Sequence, residues 1–220
     1  MSWRCGFVEA RGLAKRYGRL VVFEDVYFHV STGEALGVVG PNGSGKTTLL
    51  KIVSLLEPFD KGVIDLCGLK VLGENIRSFY RLRGVLVGYS SQTPTVVEEL
   101  SVLDNILVGA LRTSKSLEEA LEKARYAAEM LDLEGYLDRR TGELSGGFKK
   151  RVEIARLVAT NPPVMCFDEP FAHLDKEAKD LVKNLLQELK KKGKILLVAS
   201  PGEREVEDIV DRRVELWKKA

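Results

Sequence analysis

The stretch that decides the fold is Gly40-Pro41-Asn42-Gly43-Ser44-Gly45-Lys46-Thr47. It fits the pattern GxxxxGK(S/T) and lies between a predicted strand and a predicted helix. Glycines at positions 40, 43 and 45 let the backbone curl until successive N–H groups point at phosphate oxygens. The helix that follows adds its positive N-terminal end. The stretch therefore predicts a phosphate-binding loop.

Two side chains at the end of this loop have defined chemical tasks. Lys46 supplies a positive point charge to the β- and γ-phosphates of a nucleotide. Thr47 offers its hydroxyl to Mg²⁺, and Thr48 lies directly behind it in the sequence. We therefore expect a nucleoside triphosphate with Mg²⁺ at this loop.

The segments around the loop alternate between strand and helix patterns. Ala35–Val39 is a short apolar run that ends at a glycine, and Lys46–Leu56 has the pattern of a helix. Val164–Phe167 and Ile195–Ala199 are further apolar runs, each preceded by helical spacing. Buried strands that alternate with helices indicate an α/β fold with a mostly parallel sheet.

Two further segments extend this core. Residues 7–30 alternate loosely and predict an antiparallel β layer. Residues 91–143 predict a helical subdomain inserted into a single domain, whose core is formed by residues 1–90 and 144–220. The expected apolar stripe of that subdomain is Leu117, Leu121, Ala124, Ala128 and Leu131.

Composition excludes several classes of protein. The 220 residues carry a formal net charge of +2, which argues against a dedicated nucleic-acid binder. The longest stretch without charged residues, Gly84–Val97, is 14 residues long, whereas a membrane-spanning helix needs about 20 apolar residues. Residues 1–6 contain no apolar segment of the kind found in signal peptides. Few glutamines beside many charged residues are typical of a thermophilic protein.

Cysteine usage favours an interior compartment. Cys5, Cys67 and Cys166 are widely spaced, and only two histidines accompany them. This pattern argues against a disulfide framework and against a metal framework. Cys166 falls within an apolar strand, where we expect a buried and inert thiol.

A pair of carboxylates ends the apolar run Val164–Phe167. Asp168 and Glu169 directly follow Phe167. Asp168 at the carboxyl end of a strand is able to reach Mg²⁺, directly or through water. Glu169 is then placed to orient or deprotonate the water that attacks the γ-phosphate.

The tetrapeptide Leu144-Ser145-Gly146-Gly147 completes an ordered set of motifs that resembles the nucleotide-binding domain of ABC ATPases. The resemblance runs from about Phe7 to Leu216 and implies a P-loop NTPase core that binds and hydrolyses ATP. It assigns Tyr17 to adenine stacking and Gln92 to a loop that senses Mg²⁺ and the transporter. Asp175 matches the loop that follows the acidic strand end.

The LSGG tetrapeptide also has a physical interpretation. Ser145 is expected to cap a helix that starts near Gly146. Gly146 and Gly147 then expose backbone N–H groups at a helix N-terminus, where anions bind. The resemblance implies that this site meets the γ-phosphate held by a second protomer, so that a head-to-tail dimer encloses two ATP molecules.

One position departs from the family pattern. The family carries a switch histidine after the last core strand, but Pro201 occupies that position here. Proline has no side-chain donor and no N–H, so it cannot contact a phosphate in the same way. The sequence therefore predicts slow hydrolysis in a homodimer. A heterodimer partner with a competent site, or partial substitution by Ser200 or His173, are the open alternatives.

The resemblance also implies a separate membrane permease, because the sequence contains no membrane-spanning segment. A short permease helix would enter a groove between the Gln92 loop and the helical subdomain, lined by Thr93–Val97, which places the protein at the cytoplasmic face of the membrane. We expect no C-terminal regulatory extension after the core, and Phe148-Lys149-Lys150-Arg151 lacks the glutamine of many importers; both features favour an exporter-type subunit. A non-transport scaffold similar to the iron–sulfur assembly ATPase, or a regulatory ATP-binding subunit, are the alternatives.

Overall fold

A computed structural model describes residues 5–202 and 205–217 of the chain. In chain order the strands are β1 (Phe7–Tyr17), β2 (Leu20–Ser31), β3 (Ala35–Val39), β4 (Lys61–Leu66), β5 (Leu69–Val71), β6 (Val87–Ser90), β7 (Val164–Asp168), β8 (Ile195–Ser200) and β9 (Arg212–Glu215). The helices are α1 (Lys46–Val53), α2 (Val102–Leu111), α3 (Leu117–Glu129), α4 (Gly146–Thr160) and α5 (Lys176–Lys191). Short 3₁₀ turns lie at Ile76–Leu82, Glu134–Tyr136 and Thr141–Glu143.

A five-stranded sheet in the order β6-β7-β8-β3-β9 forms the centre of the molecule. All of its neighbouring strands run parallel. The three predicted apolar runs are adjacent in it, because β8 lies between β7 and β3. The predicted α/β fold with a parallel sheet is therefore confirmed.

The parallel sheet is buried on both faces, as its continuous apolar strands require. In β7, Met165 and Phe167 face a core shared with α4 and α5. The alternate residues Val164 and Cys166 face a second core shared with α1 and the antiparallel layer. Helix α1 ends before the predicted Leu56, because the chain turns at Leu55 with a left-handed φ of 61°.

The predicted antiparallel layer is present and larger than expected. Strands β1 and β2 form its hairpin, with pairs such as Phe7↔Ser31 and Tyr17↔Leu20. Strands β4 and β5 join the same sheet, in the order β2-β1-β4-β5. Neither strand was predicted, because both are short. Strand β4 pairs with β1, some fifty residues earlier in the chain, and β5 pairs with β4.

Helices α2 and α3 lie within the predicted helical insertion and pack against α4. Ala124, Ala128 and Leu131 are buried as expected, together with Ala120 and Ala127. Leu117 is not part of this stripe and is 59% exposed, because it occupies the first turn of α3 directly after the cap at Ser116. The limits of the subdomain at residues 91 and 143 remain a prediction.

The cysteine prediction was wrong. Cys5 and Cys67 form a disulfide, with their Cα atoms 4.5 Å apart. The pairing of β1 with β4 brings the two cysteines together, and the N–H of Cys67 donates to the carbonyl of Phe7. The separation of 62 residues hid this pairing in the sequence. The cysteine-based argument for an interior compartment no longer holds.

Cys166 is free and buried as predicted, and burial raises the pKa of its thiol to about 12. Within the two described ranges, no helix combines the length and the apolar character needed to cross a bilayer. The predictions about the first four residues and about residues 218–220 lie outside the described part of the chain.

Candidate functional site

The phosphate loop connects the carboxyl end of β3 to the start of α1. Gly40 and Gly45 have φ values of 151° and 100°, which residues with a side chain rarely adopt. A Cβ at Gly45 would lie 2.6 Å from Cγ1 of Val22, so the loop packs closely on β2. This close approach brings the antiparallel layer to the edge of the loop.

Lys46 is held inside the loop. Its Nζ donates to the carbonyl of Gly40 at 2.8 Å and to that of Pro41 at 3.2 Å. It also lies 3.9 Å from Oε1 of Glu169, and the lysine is only 5% exposed. The ammonium group is thus fixed at the position where incoming phosphate oxygens would replace the carbonyl contacts.

A cleft of about 450 Å³ opens over the loop. It brings together most of the residues predicted for the nucleotide, although Gly40, Pro41, Ser44 and Asp168 do not line it. Its lining consists of Tyr17, Leu20, Val22, Asn42, Gly43, Gly45, Lys46, Thr47, Thr48, Gln92 and Glu169. We call this the loop cleft.

Tyr17 lies at the rim of the loop cleft and is 49% exposed. Its hydroxyl donates to Glu57, and Nζ of Lys15 lies 4.7 Å from the centre of its ring. These contacts hold the ring at the cleft while leaving about half of its surface free for a planar ligand.

Asp168 ends β7 and is completely buried. Its Oδ2 accepts a hydrogen bond of 2.9 Å from the hydroxyl of Tyr89, whereas its buried Oδ1 has no partner among the described residues. A buried carboxylate oxygen without a partner is unfavourable unless a ligand satisfies it. This oxygen is therefore suited to a hydrated cation.

Tyr89 is a residue that the sequence did not identify. Burial, and then the nearby Asp168 carboxylate, raise the pKa of Tyr89 far above its ordinary value. Its phenol therefore stays protonated and remains a donor. The contact exists because β6 pairs with β7 in a register that places Tyr89 opposite Cys166. Only knowledge of that register could have predicted the contact between Tyr89 and Asp168.

Glu169 connects three parts of the site. Its Oε2 accepts from Nε2 of Gln92 at 2.9 Å, and its N–H donates to the carbonyl of Ala199 in β8. Its φ of 46° is unusual for a residue with a side chain. The backbone is thus held in a less favourable conformation that directs the carboxylate toward Gln92 and Lys46.

A buried glutamate anchors the Gln92 loop and was also missed. Oε1 of Glu153 accepts from the hydroxyls of Ser91 at 2.6 Å and Thr95 at 2.9 Å. Oε2 lies 3.7 Å from Nζ of Lys150, and both side chains are 2% exposed. Glu153 and Lys150 both belong to α4, so this helix holds Ser91 and Thr95 in place. Gln92 lies between Ser91 and Thr95 in the chain and is thereby fixed.

The LSGG segment lines a second cleft, of about 440 Å³. Helix α4 begins at Gly146 as predicted, but the hydroxyl of Ser145 makes no capping hydrogen bond. The guanidinium of Arg151 lies 4.1 Å from the centre of the Phe148 ring. The lining of this signature cleft is Ser145, Gly146, Gly147, Phe148, Arg151, His173, Leu174, Asp175 and Ala178. It shares no lining residue with the loop cleft.

Pro201 follows β8 and is exposed. The neighbouring Ser200 is buried, and its hydroxyl contacts the carbonyl of Gly202 at 2.8 Å and Oε2 of Glu205 at 3.1 Å. Ser200 is therefore occupied by its own loop and does not provide a free donor at the site.

Comparisons with known sequences point to one family. The family model described as "ABC transporter" matches residues 23–172. The chain is 35% identical over 205 residues to the Nod factor export ATP-binding protein I of Burkholderia orbicola (strain AU 1054), covering 93% of this chain and 66% of that relative. It is 32% identical over 198 residues to the lipoprotein-releasing system ATP-binding protein LolD of Porphyromonas gingivalis (strain ATCC BAA-308 / W83), covering 90% of each chain. The chain thus spans slightly less than two thirds of the Nod factor relatives.

Solved structures agree with this grouping. The dimeric structure of a bacterial ABC transporter cassette superimposes with a TM-score of 0.88 at 25% identity, covering 96% of this chain and 94% of that one. A dimeric post-hydrolysis state of the same cassette, bound to ADP and Pi, superimposes with a TM-score of 0.84, covering 97% of each chain.

Proposed function

The chain belongs to the ABC transporter family of ATP-hydrolysing cassettes, and we propose that two copies close head to tail around two ATP molecules to drive a separate membrane permease. One observation carries this proposal. The loop cleft and the signature cleft are both suited to phosphate, yet they lie apart in a single chain. A second copy would complete each site, which is consistent with the dimeric structures of similar cassettes.

In this proposal the loop cleft binds the nucleotide. Tyr17 stacks on the adenine, and the backbone N–H groups of residues 40–47 surround the phosphates. Lys46 exchanges its carbonyl contacts for β- and γ-phosphate oxygens. The signature residues Ser145, Gly146 and Gly147 of the second copy contact the γ-phosphate from the opposite side.

The residues present fit Mg²⁺. The unpartnered Oδ1 of Asp168 and the hydroxyl of Thr47 are oxygen donors of the kind that Mg²⁺ prefers, and Gln92 adds an amide oxygen. The ion, when bound, neutralises charge on the phosphates. Glu169 orients the attacking water or takes its proton, and Gln92 holds that carboxylate in place.

A groove of about 650 Å³ is our candidate for the permease contact. It lies between α1, α2 and α4 and includes Thr95. Of the predicted lining at Thr93–Val97 only Thr95 lines the groove; Val96 packs against the core, and Val97 is exposed outside the groove. The exposed Val108 and Leu56 give the groove an apolar border.

The charge of this groove indicates its partner. Its cationic side chains are Lys51, Arg83, Arg112 and Arg156. Within residues 5–202 and 205–217, none of these four forms a salt bridge. Among the described residues, Glu153 is the one carboxylate that lines the groove, and it already binds Ser91, Thr95 and Lys150. We infer a short amphipathic permease segment that carries carboxylates.

The direction of transport is inferred from the relatives. Their names describe Nod factor export and lipoprotein release, and both favour the export function that the sequence suggested. A permease partner would hold the chain at the cytoplasmic face of the membrane.

Light scattering tests the dimer directly. Glu169→Gln should bind MgATP without completing hydrolysis, so the protein should shift from monomer to dimer when MgATP is added. Lys46→Ala is the matched control and should stay monomeric, because it lacks the phosphate contact. A Glu169→Gln protein that binds MgATP but stays monomeric would overturn the head-to-tail proposal.

A regulatory subunit with slow hydrolysis is the second candidate, and Pro201 favours it. Positioned polar and acid–base groups contribute about 10²–10⁴-fold to rate. Without a substitute for the switch histidine, the homodimer would hydrolyse ATP more slowly by about this factor of 10²–10⁴. A comparison of the ATPase rates of the wild type and of Pro201→His tests whether the wild type lacks the polar group that a switch histidine would provide.

A further inference from the structure

We propose that His173 of one copy replaces the missing switch histidine at the ATP site of the second copy. The inference rests on the proposed head-to-tail dimer. It assigns the γ-phosphate contact, which Pro201 cannot make and Ser200 is not free to make, to an imidazole supplied from across the interface.

The first observation is the position of His173. It lines the signature cleft beside Ser145 and Gly146, and its carbonyl would lie 3.3 Å from a Cβ at Gly147. The residue therefore sits against the first turn of α4. It does not line the loop cleft of its own chain, so a contact with bound phosphate requires the second copy.

The second observation is that the imidazole is available. His173 is exposed, and its ring has no hydrogen bond or ion pair within the described part of the chain. Its backbone is nevertheless fixed, because Phe171 and Leu174 on either side are buried. The φ of His173 is 61°, a left-handed conformation that is uncommon for residues with a side chain.

The third observation is the charge around the ring. The positive N-terminal end of α4 lines the signature cleft, and so does Arg151, whose guanidinium also pairs with Asp132 at 3.5 Å. The carboxylate of Asp175 also lines this cleft, but it caps α5, where its Oδ1 accepts from the N–H of Ala178. An anion such as a γ-phosphate is favoured here, and an imidazole N–H would donate to one of its oxygens.

The chemistry requires no new reactant. Water attacks the γ-phosphorus, the bond to the β-phosphate oxygen breaks, and the products are ADP and inorganic phosphate. His173 donates a hydrogen bond to the γ-phosphate oxygens as charge develops on them, and it returns unchanged. In the dimer it would touch the reacting group and act as a catalytic residue.

Substitution of His173 is the first test. His173→Asn is the best variant, because asparagine tolerates a left-handed backbone but is too short to replace the ring. We expect the ATPase rate to fall by about 10²-fold, within the range for a positioned polar group. The double variant His173→Asn/Pro201→His should recover most of that rate. A full rate for His173→Asn would overturn the inference, and so would a double variant as slow as the single one.

Mixed dimers test whether the histidine acts across the interface. A mixture of Glu169→Gln with His173→Asn creates one site with both residues intact if His173 acts on the second copy. The first turnover should then release about one phosphate per mixed dimer at the wild-type rate. Mixed dimers of wild type with Glu169→Gln/His173→Asn, separated from the wild-type homodimer by a different affinity tag on each chain, should release none at that rate.

The opposite pattern in the two mixtures would show that His173 acts within its own chain and would overturn the inference. Failure of the dimer itself is distinguishable, because light scattering of Glu169→Gln with MgATP would then show only monomers. A dimer that forms normally while both mixtures behave alike would reject His173 and leave the proposed function intact.

Discussion

Nε2 of Gln92 donates a hydrogen bond of 2.9 Å to Oε2 of Glu169, and this contact joins the loop after β6 to the end of β7. The same carboxylate lies 3.9 Å from Nζ of Lys46. Ser91 and Thr95, on either side of Gln92, line the groove that we assign to the permease. Any movement of this loop by a permease segment would therefore change the position of Glu169.

Gln92→Ala should lower the ATPase rate by about 10–100-fold, the usual effect of removing a group that orients a catalytic residue. Gln92 is exposed, so its loss should leave the melting temperature nearly unchanged. Steady-state ATPase assays and thermal melts measure both quantities. Thr93→Ala, at the adjacent exposed position, is the control and should retain the wild-type rate. Equal rates for both variants would contradict a role for Gln92.

Tyr89→Phe should destabilise the nucleotide-free protein by about 1–3 kcal/mol, the effect of leaving a buried polar group without a partner. The change leaves both carboxylate oxygens of Asp168 unpaired within the described part of the chain. Urea denaturation measures the free energy of unfolding. Tyr27→Phe, at a residue that is 62% exposed, is the matched control and should change it by less than about 0.5 kcal/mol. A Tyr89→Phe protein as stable as this control would show that the contact is not important.

Glu153→Ala should reduce the free energy of unfolding by about 3–5 kcal/mol, because it leaves Lys150 buried without its counter-ion. Burial lowers the pKa of Lys150, while Glu153 and Asp168 act against that effect, so the loss of Glu153 makes the charged form less favourable. The ATPase rate should fall as well, because Ser91 and Thr95 lose their anchor. Glu119→Gln removes an exposed ion pair with Lys123 and should change stability by less than about 1 kcal/mol. An unaltered melt for Glu153→Ala would refute the anchoring role.

The disulfide should make an independent contribution to stability. In the chain-entropy model, a link across 62 residues stabilises the folded state by about 4 kcal/mol. Cys5→Ala/Cys67→Ala should therefore melt about 10 °C lower than the wild type. Dithiothreitol should lower the melting temperature of the wild type to that of the variant and leave the variant unchanged. A wild type that does not respond to the reductant, with its disulfide shown to be open, would contradict this prediction.

The parts of the fold that sequence predicts well are those with local signals. The phosphate loop, the apolar strand β7 and the first residue of α4 each depend on neighbouring residues, and the structure places all three as expected. Tyr89 and Glu153 gave no such signal, because their partners come from other elements and only the strand register or helix packing brings them close. The Cys5–Cys67 pair was missed for the same reason. Ser145 shows the reverse case, in which a local signal was present but the hydroxyl makes no capping bond.

The cationic groove gives the last prediction. Lys51→Glu/Arg112→Glu should weaken binding to membranes that contain the proposed permease and have been stripped of peripheral proteins, because like charges at an interface are strongly unfavourable. We expect at least about a tenfold loss of affinity, which corresponds to about 1.4 kcal/mol. Lys61→Glu/Arg125→Glu carries the same change of charge outside the groove and should bind like the wild type.

Sedimentation of the protein with such membranes measures this difference, and a thermal melt confirms that both variants are folded. Raising the salt concentration should weaken wild-type binding and reduce the difference between the variants, because exposed charges are screened. If both double variants lose binding equally, the loss is a response to net charge. If both keep wild-type binding, the permease contacts a different surface. A loss confined to Lys51→Glu/Arg112→Glu would identify the groove as the surface that receives an acidic permease segment.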